Sequence, residues 1–346
     1  MRQLANPHPA GAATMSRPAQ RILLSIGDPN GIGPEIAVKS VVALQNDPEL
    51  NPVIVGDRFV VEHYVQGTGL RIEETDGSAA PATGVLHLLA VPNLSPDAFL
   101  PGQVSAGAGA ATVAYLSAAV ACLGQGRARG IVACPHSETA INAAGITFSG
   151  YPNLLARLVG VESDRVFLML IGAGLRIVHA TLHERLADSL ARLTPDLVVG
   201  AGRAAVTALQ ALGIAKPRIG VFGINPHAGE NGLFGQDDEQ INVPAIERLR
   251  QMGIDAHGPV GADLMLGQDG YDAFIAMYHD QGHIPIKLLA GRTASALSIG
   301  AGLIFSSVGH GSAFDIAGKD MADPQAVIRA LRLVGGTAFS TQGALA

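Results

Sequence analysis

Short apolar runs that end in glycine, proline or polar residues recur along the chain, and they restrict its possible folds more than any other feature. Residues 21–26, 52–55 and 85–91 have the length and composition of buried strands. Patterns with helical spacing alternate with them, such as the alanine-rich residues 107–123. The glycine- and alanine-rich stretch between the second and third runs is predicted to be irregular. Because alternating strands and helices are typical of a largely parallel sheet, we predict an α/β protein.

The later part of the chain continues this alternation and adds antiparallel pairs. Two apolar runs at 165–171 and 175–180 are separated by Gly172-Ala-Gly174, which predicts a hairpin. Thr194 and Pro195 have the residue types of a helix N-cap and first turn, so a helix is expected to begin there. Further strands are predicted at 130–134, 216–222, 271–277, 294–299 and 303–307, and further helices at 238–252 and after Asp323-Pro324.

The size and charge of the chain argue against several classes of protein. A chain of 346 residues is long enough for two domains. The formal net charge of −6 and the lack of a basic run argue against a nucleic-acid partner. No apolar run approaches the roughly 18 residues that a membrane span needs, so no membrane association is predicted. Residues 1–20 lack the apolar core of a signal peptide and are expected to form a disordered tail.

The two cysteines, Cys122 and Cys134, are too few for a disulfide framework. Free thiols are typical of a reducing compartment, so we predict a cytoplasmic protein. Only 15 % of the residues are charged and 48 % are apolar, a composition compatible with a buried subunit interface.

A concentration of functional side chains follows the predicted strand at 271–277. The segment Met277-Tyr-His-Asp-Gln-Gly-His-Ile-Pro-Ile-Lys287 contains two histidines, a carboxylate, an amide and a lysine. The ends of parallel strands are where α/β proteins usually place their chemistry. A polar loop with one structural histidine is the alternative, but five functional side chains in one place favour a site.

Three predicted strands are each followed by a histidine in a polar setting: His183, His227 and His279. These residues are too far apart in sequence for a zinc finger. A site assembled from distant strand ends is typical of a catalytic metal, which has three protein ligands and an open position. The spacing does not distinguish such a site from three unrelated histidines. His179, within an apolar run, and His257, near a turn, are expected to be structural.

A second concentration of glycine and polar residues lies at 308–319. Its glycines allow a backbone to approach a ligand, while His310, Ser312 and Asp315 offer a ring, a hydroxyl and a carboxylate. A tight loop before the last helix is the structural alternative. No Gly-x-Gly-x-x-Gly motif with a later acidic residue follows the first strand, so the usual dinucleotide-binding fold is not predicted.

Four motifs occur in a fixed order along the chain: Gly27-Asp-Pro-Asn-Gly-Ile-Gly-Pro-Glu-Ile36, Asn225-Pro-His-Ala-Gly-Glu230, Tyr278-His-Asp-Gln-Gly282 and the loop at 309–318. Together they resemble the motifs of the 4-hydroxythreonine-4-phosphate dehydrogenase family. The similarity extends over about residues 21–335. The 309–318 loop is also similar to the cofactor loop of isopropylmalate dehydrogenases.

The resemblance implies a fold of the isocitrate/isopropylmalate dehydrogenase type, with two α/β domains around a cleft. Residues 21–130 and 288–346 would form the cofactor-side domain. Residues 131–287 would form the domain that binds metal and substrate and that dimerises. The resemblance further implies an obligate homodimer whose active sites are shared between subunits.

The resemblance also implies roles for individual residues. His183, His227 and His279 would bind one divalent metal, most readily Zn, with Fe, Co, Mg or Mn as alternatives. Lys287 would contact the substrate. NAD would lie against the 309–318 loop, where the residues expected to contact it are His310, Gly311, Ser312, Ala313, Asp315, Ala317 and Gly318.

Departures from the family pattern point to a particular branch. Members that act on the phosphorylated threonine derivative carry Gly-His-Thr-Glu where this chain has Gly150-Tyr-Pro-Asn153. They carry an Asn and an Arg where this chain has Ala296 and Phe305. The loss of groups that hold a phosphate argues against a phosphate ester. The versions found here, including Ala133-Cys-Pro-His-Ser-Glu-Thr-Ala140 and His283-Ile-Pro-Ile286, resemble the terephthalate cis-dihydrodiol dehydrogenase branch.

That branch oxidises 1,2-dihydroxy-3,5-cyclohexadiene-1,4-dicarboxylate to protocatechuate and CO2, and we expect the same NAD- and metal-dependent activity here. Lys287 is the candidate for binding a substrate carboxylate or transferring a proton. Asp280 and Asp263 are further acid/base or metal-shell candidates, although Asp263 also suits a helix cap. The remaining candidate substrate contacts are His136, Ser137, Tyr151 and Ser298.

Two alternative activities are weighed against this one. A dehydrogenase of 4-hydroxythreonine-4-phosphate or threonate 4-phosphate would need the missing Arg and Asn. A phosphate acetyltransferase-like transferase would need neither NAD nor metal, and the 309–318 loop argues against it. His283 lies beyond the matched ligand motif and is expected to support the metal ligands without binding the metal.

Overall fold

The computed structural model describes residues 20–148, 150–291 and 294–336. Within these ranges the chain forms twelve strands and eleven α-helices. The predicted tail, apart from residue 20, lies outside the described residues.

The strands are β1 (Gln20–Ser25), β2 (Leu50–Gly56), β3 (Arg71–Glu74), β4 (Val85–Ala90), β5 (Gly130–Ala133), β6 (Phe167–Gly172), β7 (Leu175–His179), β8 (Arg218–Phe222), β9 (Asp255–Val260), β10 (Ala273–Ala276), β11 (Ser295–Gly300) and β12 (Leu303–Ser307). The helices are α1 (Gly33–Leu44), α2 (Arg58–Val65), α3 (Ala106–Gly124), α4 (Glu138–Ala143), α5 (Tyr151–Val159), α6 (Leu186–Arg192), α7 (Pro195–Ala211), α8 (Val243–Gln251), α9 (Ala262–Leu266), α10 (His279–Ala290) and α11 (Gln325–Gly335).

All twelve strands belong to one sheet, in the order β3-β4-β2-β1-β5-β12-β11-β6-β7-β10-β8-β9. Two parallel groups of strands flank an antiparallel centre, where β11 pairs with β12 and with β6, and β6 pairs with β7. The α/β class and the predicted hairpin, which is β6–β7, are therefore confirmed. The division into two domains stays a prediction; its proposed boundaries fall at the start of β5 and within α10.

The strands near the middle of each parallel group are buried along their length, which explains the continuous apolar runs in the sequence. All residues of β2, β5 and β10 are buried. A large core cluster extends through most of the described chain, and a smaller one includes the stacked rings of Phe222 and Phe274, 5.3 Å apart. This core fixes the strand ends from which the candidate site residues project.

A side-chain capping bond confirms the predicted start of α7, and a local hydrogen bond lies beside the start of α11, whose N-cap is Pro324. The side chain of Thr194 accepts a hydrogen bond from the Leu197 N–H at 3.2 Å, and Pro195 occupies the first turn of α7. At the last helix, Asp323 Oδ1 accepts a bond from the Gln325 N–H at 2.9 Å. Each bond satisfies a backbone donor that would otherwise have no partner in the first turn of the helix.

The stretch predicted to be irregular contains two elements, α2 and β3. Helix α2 was missed because its apolar residues form a run without clear helical spacing. Strand β3 was missed because it is an edge strand with no buried residue. Residues 58 and 62, an ion pair one turn apart on α2, were the available helix signal.

Helix α10 was also missing from the sequence prediction. It begins at His279, directly after the predicted strand, and includes Pro285 in its interior. Proline disfavours a helix interior because it lacks an N–H donor, which concealed the helical spacing of the segment. The functional side chains from His279 to Lys287 therefore lie on a helix.

The expectation that no stretch is long and apolar enough to cross a membrane was wrong for one helix. The 19 residues of α3 meet that criterion by length and composition, with a mean hydropathy of 1.6. Half of the apolar window is buried inside the protein. Within it, Tyr115 is fully buried and donates a hydrogen bond to Asp57 Oδ2 at 2.6 Å. Core helices of globular proteins have the same length and composition, so this is weak evidence for a membrane span.

Candidate active site

Four imidazole rings meet beside the ends of β7 and β10, and we call them the histidine cluster: His179, His183, His279 and His283. The rings of His279 and His283 are stacked, with centroids 3.6 Å apart and an interplanar angle of 15°. His183 lies 5.4 Å from His279, and His179 lies 4.6 Å from His283, measured between ring centroids. The predicted ligands His183 and His279 are therefore neighbours.

A chain of hydrogen bonds fixes the two supporting rings. His179 is 1 % exposed and its Nδ1 lies 3.1 Å from the carbonyl oxygen of Leu168, which can only accept. The Nδ1 of His179 therefore carries the proton, and its Nε2 accepts from His283 Nδ1 at 3.0 Å. His283 Nδ1 also lies 3.2 Å from the carbonyl oxygen of His279. The expectation that His179 is structural agrees with this geometry.

Burial keeps three of these rings, those of His179, His183 and His283, uncharged near neutral pH. Burial lowers the pKa of His179 to about 3 and that of His283 to about 4, and neighbouring imidazoles add to both effects. Burial and the neighbouring His279 also lower the pKa of His183. Neutral imidazole is the form that binds a metal.

A carboxylate orients the ring of His279. Its Nδ1 lies 2.7 Å from Asp280 Oδ1, which directs the other ring nitrogen away from the carboxylate. Metal-binding histidines commonly have this carboxylate contact. Asp280 therefore has the geometry of a positioning residue. His183 and His279 together border a cavity of about 310 Å³.

His227 lies in the turn Pro226–Gly229 after β8 and is not part of the histidine cluster. Its φ angle is 53°, its side chain is 68 % exposed, and its Nδ1 lies 3.0 Å from Glu230 Oε2. The backbone N–H groups of Ile224 and Asn225 donate to the buried carboxylate of Asp238, which fixes the start of the turn. His227 thus has an orienting carboxylate, as His279 does.

The side chains of His183, His227 and His279 suit the metal that the resemblance implies, but the three do not lie together. His227 and His279 each have Nδ1 held by a carboxylate, and His183 is uncharged near neutral pH. Across residues 20–148, 150–291 and 294–336, however, no three His, Cys, Asp or Glu side chains are arranged to hold a metal ion. The structure brings together two of the three predicted ligands.

The two remaining catalytic candidates, Lys287 and Asp263, lie on two different helices. Lys287 is exposed on α10 and follows His279 and His283 at intervals of four residues, so all three lie on the same side of the helix. Asp263 is exposed in the first turn of α9, but the N-cap of that helix is Gly261. The capping alternative for Asp263 is therefore wrong.

The predicted substrate contacts His136 and Tyr151 belong to a second group, which we call the aromatic group: His136, Phe148, Tyr151 and Phe305. The Tyr151 hydroxyl lies 3.0 Å from His136 Nδ1, and its ring centroid lies 4.5 Å from that of Phe305. Burial raises the pKa of Tyr151, so the hydroxyl keeps its proton and can donate to Nδ1. In that tautomer His136 Nε2 carries a proton, and this buried atom has no partner among the described residues.

The two serines predicted to contact the substrate are Ser137, which caps a helix, and Ser298, which is buried in a strand. Ser137 Oγ accepts a hydrogen bond from the Ala140 N–H at 3.1 Å and caps α4, which leaves its hydroxyl proton for another acceptor. Ser298 is buried on β11, where it pairs with Phe305 on one side and Leu168 on the other. Ser298 therefore lies beside the aromatic group.

The loop predicted to bind NAD packs against the turn between β1 and α1. The Ile32 N–H donates to the Ser312 carbonyl oxygen at 2.9 Å, and a Cβ at Gly31 would lie 2.7 Å from Ser312 Cβ. Gly31 therefore permits the close approach of the two segments. Among the other predicted contacts, Ala317 is buried, Ala313 is half-buried, and those exposed are His310, Gly311, Asp315 and Gly318.

Asp28, in the motif at residues 27–36, is a buried acid for which the sequence predicted no role. It is 0 % exposed, and its Oδ1 accepts a hydrogen bond from the Asn30 N–H at 2.9 Å. Burial raises the pKa of this carboxyl to about 6. Asp28 Oδ2 and Ser312 Oγ are buried without partners in the described part of the chain. Buried polar atoms are usually hydrogen-bonded, so these two atoms would gain partners if a ligand such as the implied NAD bound at the loop.

Comparison with known proteins places the chain in a family. A profile described as "Pyridoxal phosphate biosynthetic protein PdxA" matches residues 48–334. The chain belongs to the PdxA family. The family predicted from the four sequence motifs is therefore confirmed.

Three relatives illustrate how the family members differ in their named activity. A 1,2-dihydroxy-3,5-cyclohexadiene-1,4-dicarboxylate dehydrogenase of Comamonas sp is 48 % identical over 91 % of this chain and 97 % of that protein. The crystal structure of a terephthalate 1,2-cis-dihydrodioldehydrogenase from Burkholderia xenovorans LB400 is 52 % identical, with a TM-score of 0.81, and covers 92 % of this chain and 98 % of that one. A D-threonate 4-phosphate dehydrogenase of Cupriavidus necator is 38 % identical over 89 % and 94 % of the two chains. This chain is a dehydrogenase of the PdxA family.

Proposed function

We propose that this enzyme oxidises and decarboxylates 1,2-dihydroxy-3,5-cyclohexadiene-1,4-dicarboxylate to protocatechuate, with NAD and one divalent metal. One diol dicarboxylate and one NAD⁺ give one protocatechuate monoanion, one CO2 and one NADH, with no net release of a proton. Oxidation of the alcohol beside a carboxylated carbon gives a β-keto acid, which loses CO2. Tautomerisation of the remaining ring to an aromatic catechol favours the products.

The aromatic group is the observation that carries this proposal. It consists of four rings, and its buried Phe305 stands where the resemblance gives an arginine to members that bind a phosphate ester. Phosphate recognition relies on charge-assisted bonds from cationic groups. Packed rings with one unpaired imidazole N–H suit a flat ring that bears a carboxylate instead. The two relatives named for the diol substrate are also more similar to this chain than the one named for a phosphate ester.

His183, His227 and His279 are the residues that would hold the metal. When bound, such a metal lowers the pKa of a substrate alcohol, and NAD accepts the hydride. Asp280 keeps the His279 ring in one orientation through the contact at Nδ1. His283 packs flat against His279 and restricts its rotation.

Two groups are suited to the two carboxylates of the substrate. The Lys287 amine is exposed on the side of α10 that carries His279, and it would bind the carboxylate nearest the reacting carbon or transfer a proton. His136 Nε2–H would donate to the distal carboxylate. Asp263 remains a candidate for proton transfer.

We further propose a cytoplasmic homodimer with shared active sites. Leu288 and Leu289 on α10 are 80 % and 64 % exposed, and Leu186 on α6 is 55 % exposed. Leu186 also borders the 310 Å³ cavity next to His183 and His279. A second copy of the chain that covered this apolar surface would exclude water from the cavity and complete the ligand set.

Turnover of the diol by the purified enzyme tests the proposed reaction. With Zn²⁺ and NAD, we expect an absorbance increase from NADH and an equal amount of protocatechuate by chromatography. The same protein should not turn over 4-hydroxythreonine-4-phosphate or threonate 4-phosphate. Activity on a phosphate ester alone would refute the substrate assignment and leave the family intact.

Light scattering tests the homodimer. The wild-type chain should have twice its monomer mass, and Leu288→Glu combined with Leu289→Glu should shift it toward the monomer and reduce activity. The exposed Met252→Glu is a matched control, because Met252 ends α8 and is 51 % exposed. A monomeric wild-type enzyme with full activity would contradict shared sites.

A further inference from the structure

Three arginines line a cavity of about 610 Å³ that differs from the cavities at the histidine cluster. Arg129 precedes β5, Arg165 precedes β6, and Arg203 lies on α7. This cavity shares a single lining residue, Phe167, with the 270 Å³ cavity beside His179 and His183. It is therefore a second concave site, which borders the first at Phe167.

The sequence of α7 leaves space for this cavity. The helix lines it with small residues at helical spacing, including Gly200, Ala204 and Ala208. A Cβ at Gly200 would lie 3.2 Å from Phe167 Cζ, so glycine lets the helix pass close to that ring. The opposite wall is the turn between β11 and β12 at residues 300–302.

The lining of this cavity carries three positively charged side chains and no negatively charged one. None of its lining residues is Asp or Glu, although the whole chain has a formal net charge of −6. Arg203 has no hydrogen bond or ion pair within the described ranges. The nearest acid to Arg165 is Asp164 at 3.7 Å, with both side chains exposed, and Arg129 Nη1 donates to the neutral Gln20 side chain. Three like charges around one space repel each other, and an anion between them would relieve that repulsion.

Apart from Thr207, the other side chains that line the cavity are apolar, which restricts the kind of anion that fits it. Val161, Phe167, Leu303 and Ile304 line the cavity together with the arginines. Small-molecule sites typically have volumes of about 300–1,000 Å³ and combine apolar walls with a few polar groups. A bare inorganic anion would leave these walls without a partner, whereas an organic carboxylate would use both parts of the cavity.

We propose that this cavity binds a small organic carboxylate with an apolar body. The planar guanidinium groups of Arg203 and Arg165 bind the carboxylate, and the walls beside Phe167 hold the apolar part. Arginine presents paired N–H donors that match the two oxygens of a carboxylate. The site is independent of the proposed reaction.

Calorimetric titration with benzoate tests the proposal. The titrations use a protein with Lys287→Ala and His136→Ala, which lacks the two groups proposed to bind the substrate carboxylates, so that binding at the active site does not obscure the result. Benzoate should saturate one site per chain, and the neutral benzamide should bind at least about tenfold more weakly, because a charge-assisted bond is lost. In the same background, Arg203→Gln with Arg165→Gln should weaken benzoate binding by about tenfold or more.

Two further variants separate specific recognition from charge and from misfolding. Arg203→Lys keeps the charge and loses the paired donors, so it should bind benzoate with intermediate affinity. Arg71→Gln removes an arginine that is 68 % exposed on β3 and should leave binding unchanged. Circular dichroism and the thermal midpoint of each variant establish that it is folded.

Several results would overturn the proposal. They are the absence of saturable benzoate binding at millimolar concentrations, equal binding of benzamide, and unchanged binding in the double arginine variant. Inorganic phosphate that binds as tightly as benzoate would overturn the assignment of a carboxylate with an apolar body.

Discussion

The histidine cluster and the loop region, which consists of the 309–318 loop and the turn after β1, both contain buried polar groups, but among the described residues all of these groups find partners in only one of the two. In the histidine cluster, His179 bonds to the Leu168 carbonyl oxygen and to His283. In the loop region, Asp28 Oδ2 and Ser312 Oγ are buried without partners among the described residues.

The first region is ordered before a ligand binds, whereas the second has polar atoms that a ligand could pair with. The rings of the histidine cluster hold one another, so His279 is oriented before any ligand binds. Buried polar atoms without partners destabilise a protein by about 1–3 kcal/mol each unless something else pairs with them. The loop region is thus suited to gain stability when its ligand binds, whereas the histidine cluster is already ordered.

Removing a predicted metal ligand should have the largest effect. His183→Ala should lower kcat/KM by on the order of a thousandfold, because several kcal/mol of charge stabilisation would be lost with the metal. Metal content measured by inductively coupled plasma mass spectrometry should fall in parallel. His257→Ala is the matched control, since His257 contacts Asp255 away from the cluster. A His183→Ala enzyme that retains its metal would contradict the proposed ligand.

Removing a supporting ring should have the next largest effect. His283→Leu deletes the stack on His279 and the bond to His179, and we expect the affinity for Zn²⁺ to fall by about 10–100-fold. Competition with a chelator measures this affinity independently of activity. His283→Gln retains a donor for His179 and should weaken Zn²⁺ binding less. Equal effects of the two variants would argue against positioning by His283.

The buried carboxyl of Asp28, in the loop region, should give a pH-dependent change in stability. The pKa of Asp28 is about 6 in the folded chain and 3.8 in the reference state, so the folded state binds more protons between these values. Stability therefore falls as the pH rises from about 4 to above 6, by about 3 kcal/mol. Asp28→Asn should raise the free energy of unfolding at pH 7.5 by up to this amount.

The same difference should become small near pH 4 and vanish as the pH falls well below 3.8, where Asp28 is protonated in both states. Urea denaturation of both proteins at pH 4 and pH 7.5 measures it. A stability difference that does not change with pH would mean that packing, and not the charge of Asp28, determines the effect.

The smallest expected change concerns the hydroxyl of the loop. Ser312→Ala removes a buried oxygen without a described partner, so the free energy of unfolding should rise by about 1 kcal/mol, while the affinity for NADH should fall by about three- to tenfold. Fluorescence titration with NADH measures the affinity. Ser306→Ala is the contrasting control, because Ser306 Oγ donates to the Ala296 carbonyl oxygen at 3.0 Å. It should lower stability and leave NADH binding unchanged; the reverse pattern would contradict the assignment.

Much of the fold could be predicted from the sequence because buried strands have continuous apolar runs and α7 has a clear cap. The β6–β7 hairpin was predicted from its glycines. Helix α10 was missed because one internal proline outweighed the four-residue spacing of His279, His283 and Lys287. Propensity is local, and packing around the helix overrides it.

The candidate site was only partly predictable. The motifs identified His183 and His279, which do lie together. Sequence spacing could not reveal that His179 supports His283, because their bond joins residues 104 positions apart. Nor could it reveal the unpaired Asp28 carboxyl oxygen, since pairing depends on the tertiary packing of the loop against the turn after β1.

The position of β11 and β12 in the sheet has a consequence for biosynthesis. These strands are made late, yet they lie between β5 and β6 and join two groups of earlier strands. A nascent chain that has not reached Ser295 contains two half-sheets, each with an unpaired edge that can associate with other chains. The sheet becomes continuous only when residues 295–307 leave the ribosome, so premature termination shortly before them should produce aggregation-prone fragments.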